Sequence, residues 1–324
     1  MWKKIFYHLL IVLILLSISG CSNINKKETI APTKQHFVNI ATGNADSTVH
    51  KIGIMLAQMC NKEIQGMNTS TLQVPNSQLT NVELLVREKA GIAFLRSDVA
   101  FYAANGLELF DGKKADKLKG VISLYSETIQ IVTLDKTRIK KIEDIKGRRL
   151  MIIGSKDGFE QINARQILKA YAIDLADVRL QYATLPEAVQ HLLQGGTDVL
   201  FAMTVCPDDS LHELSVAEQT VFLPIDYQKL TILLQENTYY VKDTIVKSTY
   251  FRQPIDVTSL SVHTILAVND KINDDMGYKI AKTIYNNYDS FKNPWISKHM
   301  KAKKPEMESL GLSMNEGSRK FLNE

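Results

Sequence analysis

The sequence predicts an α/β protein of two lobes, each with a mostly parallel sheet flanked by helices. Three observations carry this. Short apolar runs of strand character alternate with segments of helical periodicity, a pattern that calls for parallel strands covered by helices. The alternation stops at a long β-rich stretch, Val121 to Leu134, and then begins afresh. The chain has 324 residues, more than one hydrophobic core commonly serves.

The first element is a leader. Lys3 and Lys4, the apolar run Leu9 to Leu16, and small residues ending at Cys21 have the layout of a secretory signal peptide over residues 1–20. The run is shorter than the roughly 20 residues that a spanning helix needs. Ile18-Ser19-Gly20-Cys21 resembles the lipobox of bacterial lipoproteins, which implies cleavage before Cys21 and attachment of palmitate or a similar lipid to its thiol. Residues 21–36 then read as a polar tether between lipid and fold, with Pro32 and no periodicity. Loss of Lys3 and Lys4 with the leader lowers the formal charge from +4 to +2. With no basic cluster interleaved with aromatics, nucleic acid is not an expected partner. The Lys298 to Lys304 run reads as a solvated surface. Cys60 and Cys206 read as buried or idle thiols and not as a disulfide.

From Phe37 the elements follow in order. Phe37 to Ala41 is a strand, Thr42 to Thr48 a polar loop with Asp46 placed as a helix cap, and Val49, Ile52, Leu56, Met59 and Cys60 mark a helix face. Thr71 to Val74 is a second strand, Pro75-Asn76-Ser77 a turn, and Leu79, Val82, Leu85 and Val86 a second helix face. Gly91 to Leu95 is a third strand, ending at Arg96-Ser97-Asp98. The β-rich stretch is interrupted at Ser126-Glu127-Thr128, where the chain would pass between lobes. A second series follows: the strand Arg149 to Ile153, the loop Gly154 to Gly158, a helix with Ala164, Ile167, Leu168 and Tyr171 inward, the strand Leu180 to Ala183, a helix opened by Pro186 and closed by Gly195-Gly196, and the strand Asp198 to Met203. Two sheets are thus expected one after the other, with a return near Leu223 to Tyr227, a strand at Ser259 to Val268 and a helix at Lys279 to Tyr288. Lobe 1 is read as residues 37–128, lobe 2 as 129–224, and 225–324 as the return with C-terminal helices.

In open parallel sheets a ligand sits beyond the carboxyl ends of strands, where helix N-termini offer free N–H groups. The candidate contacts are therefore Thr42, Asn44, Ser47 and Thr48 after the first strand, Asn76 and Ser77 after the second, and Arg96 and Ser97 after the third. In the second series they are Ser155, Asp157 and Gly158, then Met203 and Thr204. No nucleophile is supported, because no spacing joins Cys206 to His50, His191, His212 or His263, and the chain reads as a binding protein and not an enzyme. No cofactor is expected. Asp208-Asp209 beside His212 is the nearest approach to a metal cluster and reads better as loop.

An ordered set of segments, Phe37-Val38-Asn39-Ile40-Ala41-Thr42-Gly43, Leu95 to Ala103, Ile142 to Arg149 and Leu223-Pro224-Ile225-Asp226, resembles the TAXI family of solute-binding subunits of TRAP transporters, from Phe37 to about Phe321. The resemblance implies a periplasmic-binding-protein fold, a carboxylate-bearing small ligand, and a membrane permease subunit of a TRAP transporter as partner. It also adds Tyr240 to the candidate contacts. Departures stand beside it. Pro75-Asn76-Ser77 replaces a Thr-Gly-Gly loop while Asn81 is retained, Arg96 replaces a glutamine, Gly158 and Glu160 are kept around Phe159, and Lys242-Asp243 replaces Pro-Gly. Arg96 has two readings, a grip on a ligand carboxylate through two parallel hydrogen bonds, or an ion pair with Asp98 or another acid. On the first, Arg96→Ala removes ligand-induced stabilisation and leaves the fold intact. Two further functions stay open: service to an ABC permease or a sensor, and a lipoprotein whose altered loops have given up small ligands for protein contacts.

Overall fold

The computed structural model describes residues 35–45, 47–74, 77–287 and 312–324. The leader, Cys21, Asp46, Asn76 and Lys298 to Lys304 lie outside the described residues, as do the side chains of Thr48 and Ser77.

The first three strands, β1 (His36–Ala41), β2 (Met67–Leu72) and β3 (Ile92–Arg96), are parallel, with β1 between the other two. Ile52, Leu56 and Cys60, four residues apart on α1 (Thr48–Glu63), are buried with Ile40 and Phe94 in one cluster, so the apolar periodicity does fix which helix face meets the sheet. Strand β2 begins and ends earlier than the Thr71 to Val74 segment suggests. Its polar residues are accommodated by a helix neighbour: the Thr69 hydroxyl donates to the Ala57 carbonyl at 2.9 Å and to Asn61 Oδ1 at 2.6 Å. On α2 (Ser77–Val86), Val82 and Leu85 are buried but Val86 faces solvent. β3 passes directly into α3 (Ser97–Asn105), which ends at Gly106 with φ +67°, the left-handed turn that glycine closes at least cost.

The second series repeats this. β5 (Arg149–Ile153) lies between β6 (Arg179–Ala183) and β7 (Val199–Thr204), all parallel. The intervening helices are α4 (Phe159–Ala170) and α5 (Leu185–Leu193), the latter opened by a capping box of Thr184 and Glu187. Helix α6 (Asp209–Ala217) and the short β8 (Thr220–Phe222) follow.

Two long strands join the halves, and here three expectations are corrected. β4 (Lys119–Leu134) pairs with β10 (Val257–Val268) along its first part and with β7 from Thr128 to Thr133. β10 in turn pairs with β3 from Thr264 to Val268 and with β9 (Val241–Ile245) from Val257 to Ser261. The strand order is therefore β2-β1-β3-β10-β4-β7-β5-β6 in one hydrogen-bonded path, not two separate sheets, with parallel strands at the flanks and antiparallel strands at the centre. Ser126-Glu127-Thr128 does not interrupt β4, because these residues pair with His263, Val262 and Ser261 of β10. Nor does the chain return at Leu223 to Tyr227, where α7 (Tyr227–Glu236) begins; the return is β10 itself.

At the C-terminal side, α8 (Asp274–Asn286) starts five residues before Lys279, at an Asn273 cap, and packs on α9 (Glu316–Asn323). A Cβ on Gly317 would lie 1.6 Å from the Asp274 carbonyl oxygen, so the crossing admits only glycine. Among the described residues no helix is long and apolar enough to cross a membrane.

Candidate functional site

Where β3 runs out, its last residue Arg96 is 3 % exposed and points along the seam between the halves. Arg96 Nε donates to Asp98 Oδ1 at 3.1 Å and Nη2 to Asp98 Oδ2 at 2.9 Å, a bidentate pair within one turn of chain. Nη1 reaches the other half, donating to Glu160 Oε1 at 2.6 Å. Burial alone would weaken the arginine's hold on its proton, but Asp98, Glu160 and Glu127 outweigh it, and the guanidinium is held charged well above its ordinary pKa. Burial also raises the Glu127 carboxyl, although Arg96 opposes the shift, and its Oε1 accepts from the Thr264 hydroxyl at 2.7 Å.

The seam continues as a polar lattice. Helix α4 presents Glu160, Asn163 and Gln166, three residues apart and hence on one face; α3 presents Asp98 and Tyr102. Asn163 Nδ2 donates to Asp98 Oδ2 at 2.7 Å and Gln166 Nε2 to the Tyr102 hydroxyl at 2.7 Å. Tyr239 and Tyr240, ahead of β9, close the group. The Tyr240 hydroxyl donates to Asn163 Oδ1 at 2.5 Å and to Gln166 Oε1 at 3.0 Å, and Tyr239 donates to Gln166 Oε1 at 2.7 Å. The phenols stay protonated: burial pushes Tyr102 up to about 12 and Tyr240 well above its usual value. Ser97 ties the lattice to the joining strands, donating to the Tyr239 carbonyl at 3.1 Å and accepting from the His263 amide at 3.1 Å. Gln166 also lines an open groove of about 450 Å³ between α4 and α7, with Arg165, Lys169 and Asn237 in its wall.

The structure thus gathers Arg96, Ser97 and Tyr240 into one network. Gly158, the N-cap of α4, adjoins it, and the exposed Ser155 and Asp157 stand at its rim. The first loop is not part of it. Thr42 is buried, donating to the Leu72 carbonyl at 2.8 Å and meeting His50 Nδ1 at 2.9 Å. Ser47 caps α1 by accepting from the His50 amide at 3.1 Å, and its hydroxyl donates to the Asn44 carbonyl at 2.6 Å. Met203 is buried in β7, and Thr204 is spent on the Asp208 carboxylate that caps α6, at 2.9 Å. Loop and cap chemistry claims these residues first. Both readings of Arg96 bear on what is seen: it lies at the seam, and it is paired with Asp98.

Sequence reasoning missed Asn163, Gln166, Tyr102 and Tyr239, and it met Asp98 and Glu160 only as an ion partner and a shared motif residue. One signal was present. Glu160, Asn163 and Gln166 recur at helical spacing just as Ala164, Ile167 and Leu168 do, and a second ordered stripe on one helix marks a second neighbour. Cys60 and Cys206 are buried, and among the described residues neither is in a disulfide. Among the described residues no group of His, Cys, Asp and Glu is arranged to hold a metal ion.

The fold is shared with solved binding proteins. The periplasmic aliphatic sulphonate binding protein SsuA from Escherichia coli is 12 % identical, with 89 % of this chain and 78 % of that one covered at a TM-score of 0.51. A putative sulfonate-binding protein of Methylobacillus flagellatus KT gives 12 %, 85 %, 76 % and 0.52. GshT of Streptococcus mutans, from a study of glutathione import, gives 13 %, 85 %, 99 % and 0.50. At such identities the likeness speaks for the α/β periplasmic-binding-protein fold, and the reading of a binding protein and not an enzyme agrees with it. The resemblance to the TAXI family is corrected by the sequence itself, since it is the model of a different family that matches residues 40–324, and the TRAP assignment falls with it. On that match, covering nearly all of the fold, the chain belongs to the NMT1-like family.

Proposed function

We propose that the protein is an extracytoplasmic solute-binding protein that captures a small molecule with an acidic group at the seam and delivers it to an ABC-type permease. The observation that carries this is the buried guanidinium of Arg96, at the carboxyl end of a strand in one half and facing the first turn of a helix in the other. A fixed cation between two bodies gives an anionic ligand a reason to hold them together. Ser97, Ser155, Asp157, Gly158 and Tyr240 form the remaining wall in this reading. In this reading one lobe takes residues 37–128 and the chain from β10 onward, and the other takes the residues between. The ABC assignment leans on solved proteins of the same fold, one the periplasmic protein of a putative sulfonate ABC transporter and one that imports glutathione together with a cystine ABC importer. Export and a lipid on Cys21 follow from the leader.

A second reading is favoured by one fact: Arg96 already has carboxylates on both sides. A chain that had given up solutes for protein contacts would have this feature. A thermal-shift screen of the purified full chain against alkanesulfonates, amino acids and organic acids separates the two, because a ligand of the native state raises the melting temperature by mass action. At least one class should give a concentration-dependent rise that Arg96→Lys weakens. A flat response to every class would sink the first reading.

A further inference from the structure

The two carboxylates on Arg96 differ in kind. Asp98 is two residues along the same chain, wholly buried, and stays with the guanidinium however the halves move. Glu160 comes from the opposite half, its side chain is 22 % exposed, and it holds a single nitrogen, Nη1. The loop before it is shaped around its carboxylate: a Cβ on Gly154 would lie 2.9 Å from Glu160 Oε2, and one on Gly158 would lie 3.0 Å from the same atom. Side chains at either position would crowd the carboxylate from the position it now holds. Arg96 thus shares its one positive charge between the carboxylates of Asp98 and Glu160.

We propose that Glu160 is a resident stand-in for the acid group of the solute, a latch that bridges the halves through Arg96 and that the solute must displace. The proposal rests on the reading of the seam as the solute site and adds a condition to it. A solute that takes over Arg96 Nη1 releases the Glu160 carboxylate beside that of Asp98. A plain acid leaves that charge uncompensated, whereas a solute with a cationic group next to its acid satisfies both. Glu160 therefore selects for zwitterions as well as holding the halves together.

The test needs no solute. Spin labels on Lys62→Cys in one half and Glu213→Cys in the other, both exposed positions, report the distance between halves in the full chain purified in detergent and dialysed free of small molecules. Glu160→Gln and Glu160→Ala should each add a longer-distance population that the parent lacks. If the alanine variant does not fold, the isosteric glutamine at this partly exposed position carries the comparison. Distance distributions that match the parent in a folded variant overturn the latch. A solute that stabilises the protein while those distributions stay unchanged would refute the latch and keep the receptor. Widened distances with no stabilising solute in the screen would do the reverse.

Discussion

The interior of each half and the seam between them are both buried, yet the seam adds a dense polar lattice to an apolar layer that runs across both halves, with the Tyr102 ring stacked on Phe159. Behind β1 and β3 lie Ile40, Ile92 and Phe94, none exposed to solvent, and behind β5 and β7 lie Leu150, Ile152 and Phe201. At the seam lie Arg96, Asp98, Asn163, Gln166 and three tyrosines, joined by directional hydrogen bonds. Apolar packing is non-directional and is lost only when its surface meets water. A polar lattice can instead be exchanged, group by group, for water or for a ligand of matching pattern. The contrast teaches that apolar packing holds this molecule together throughout, while the polar lattice adds a key where its halves meet.

Four substitutions probe that contrast, taken from the largest expected effect. Phe94→Ala should cost about 3–5 kcal/mol in a denaturant titration, through lost burial and a residual cavity. Arg96→Ala should cost about 3 kcal/mol, because it strands the Asp98 carboxylate in a dry site. This replaces the expectation of an intact fold drawn from the sequence, and pairing it with Asp98→Leu should recover most of the loss. A single Arg96→Ala as stable as the parent would mean that the seam is wet and the contrast false.

Tyr240→Phe should cost about 1–2 kcal/mol, since the hydroxyl's bonds to Asn163 and Gln166 vanish while the ring remains packed. The smallest effect belongs to a pair outside the seam. Arg149 binds Asp198 at 2.6 Å and its hydrogen bond holds that carboxyl below its usual pKa, although burial opposes the shift. A depressed acid stabilises the fold at pH above its unfolded value of about 3.9, and the contribution fades as the pH falls through the folded value. Asp198→Asn should therefore cost about 1 kcal/mol at neutral pH, with the gap to the parent closing in melts below about pH 4. A gap that is the same at pH 3 and pH 7 would contradict the assignment.

Much of the fold was legible in the chain. Ile52, Leu56 and Cys60 announced the buried face of α1, and the restart of alternation at Arg149 announced the second series. Ser126-Glu127-Thr128 misled, because three polar residues in a β-rich run read as a break, whereas in the structure they pair across to β10. Thr42 and Ser47 misled in another way: hydroxyls at the end of a strand suit a ligand and a helix cap equally, and the local partner was nearer. For Arg96, strand position gave the direction of the side chain but not its company, since Glu160 lies 64 residues away and on the other half.

By itself, then, the sequence determined the alternation of strands and helices and most of their apolar faces, because periodicity and caps act over a few neighbouring positions. The tertiary structure alone decided that β4 and β10 run through both halves, and that Arg96, Asp98, Glu160, Asn163 and Tyr240 share one network. Those contacts are set by the closure of long chain segments onto one another, and a pattern read a dozen residues at a time carries no record of where such closures fall.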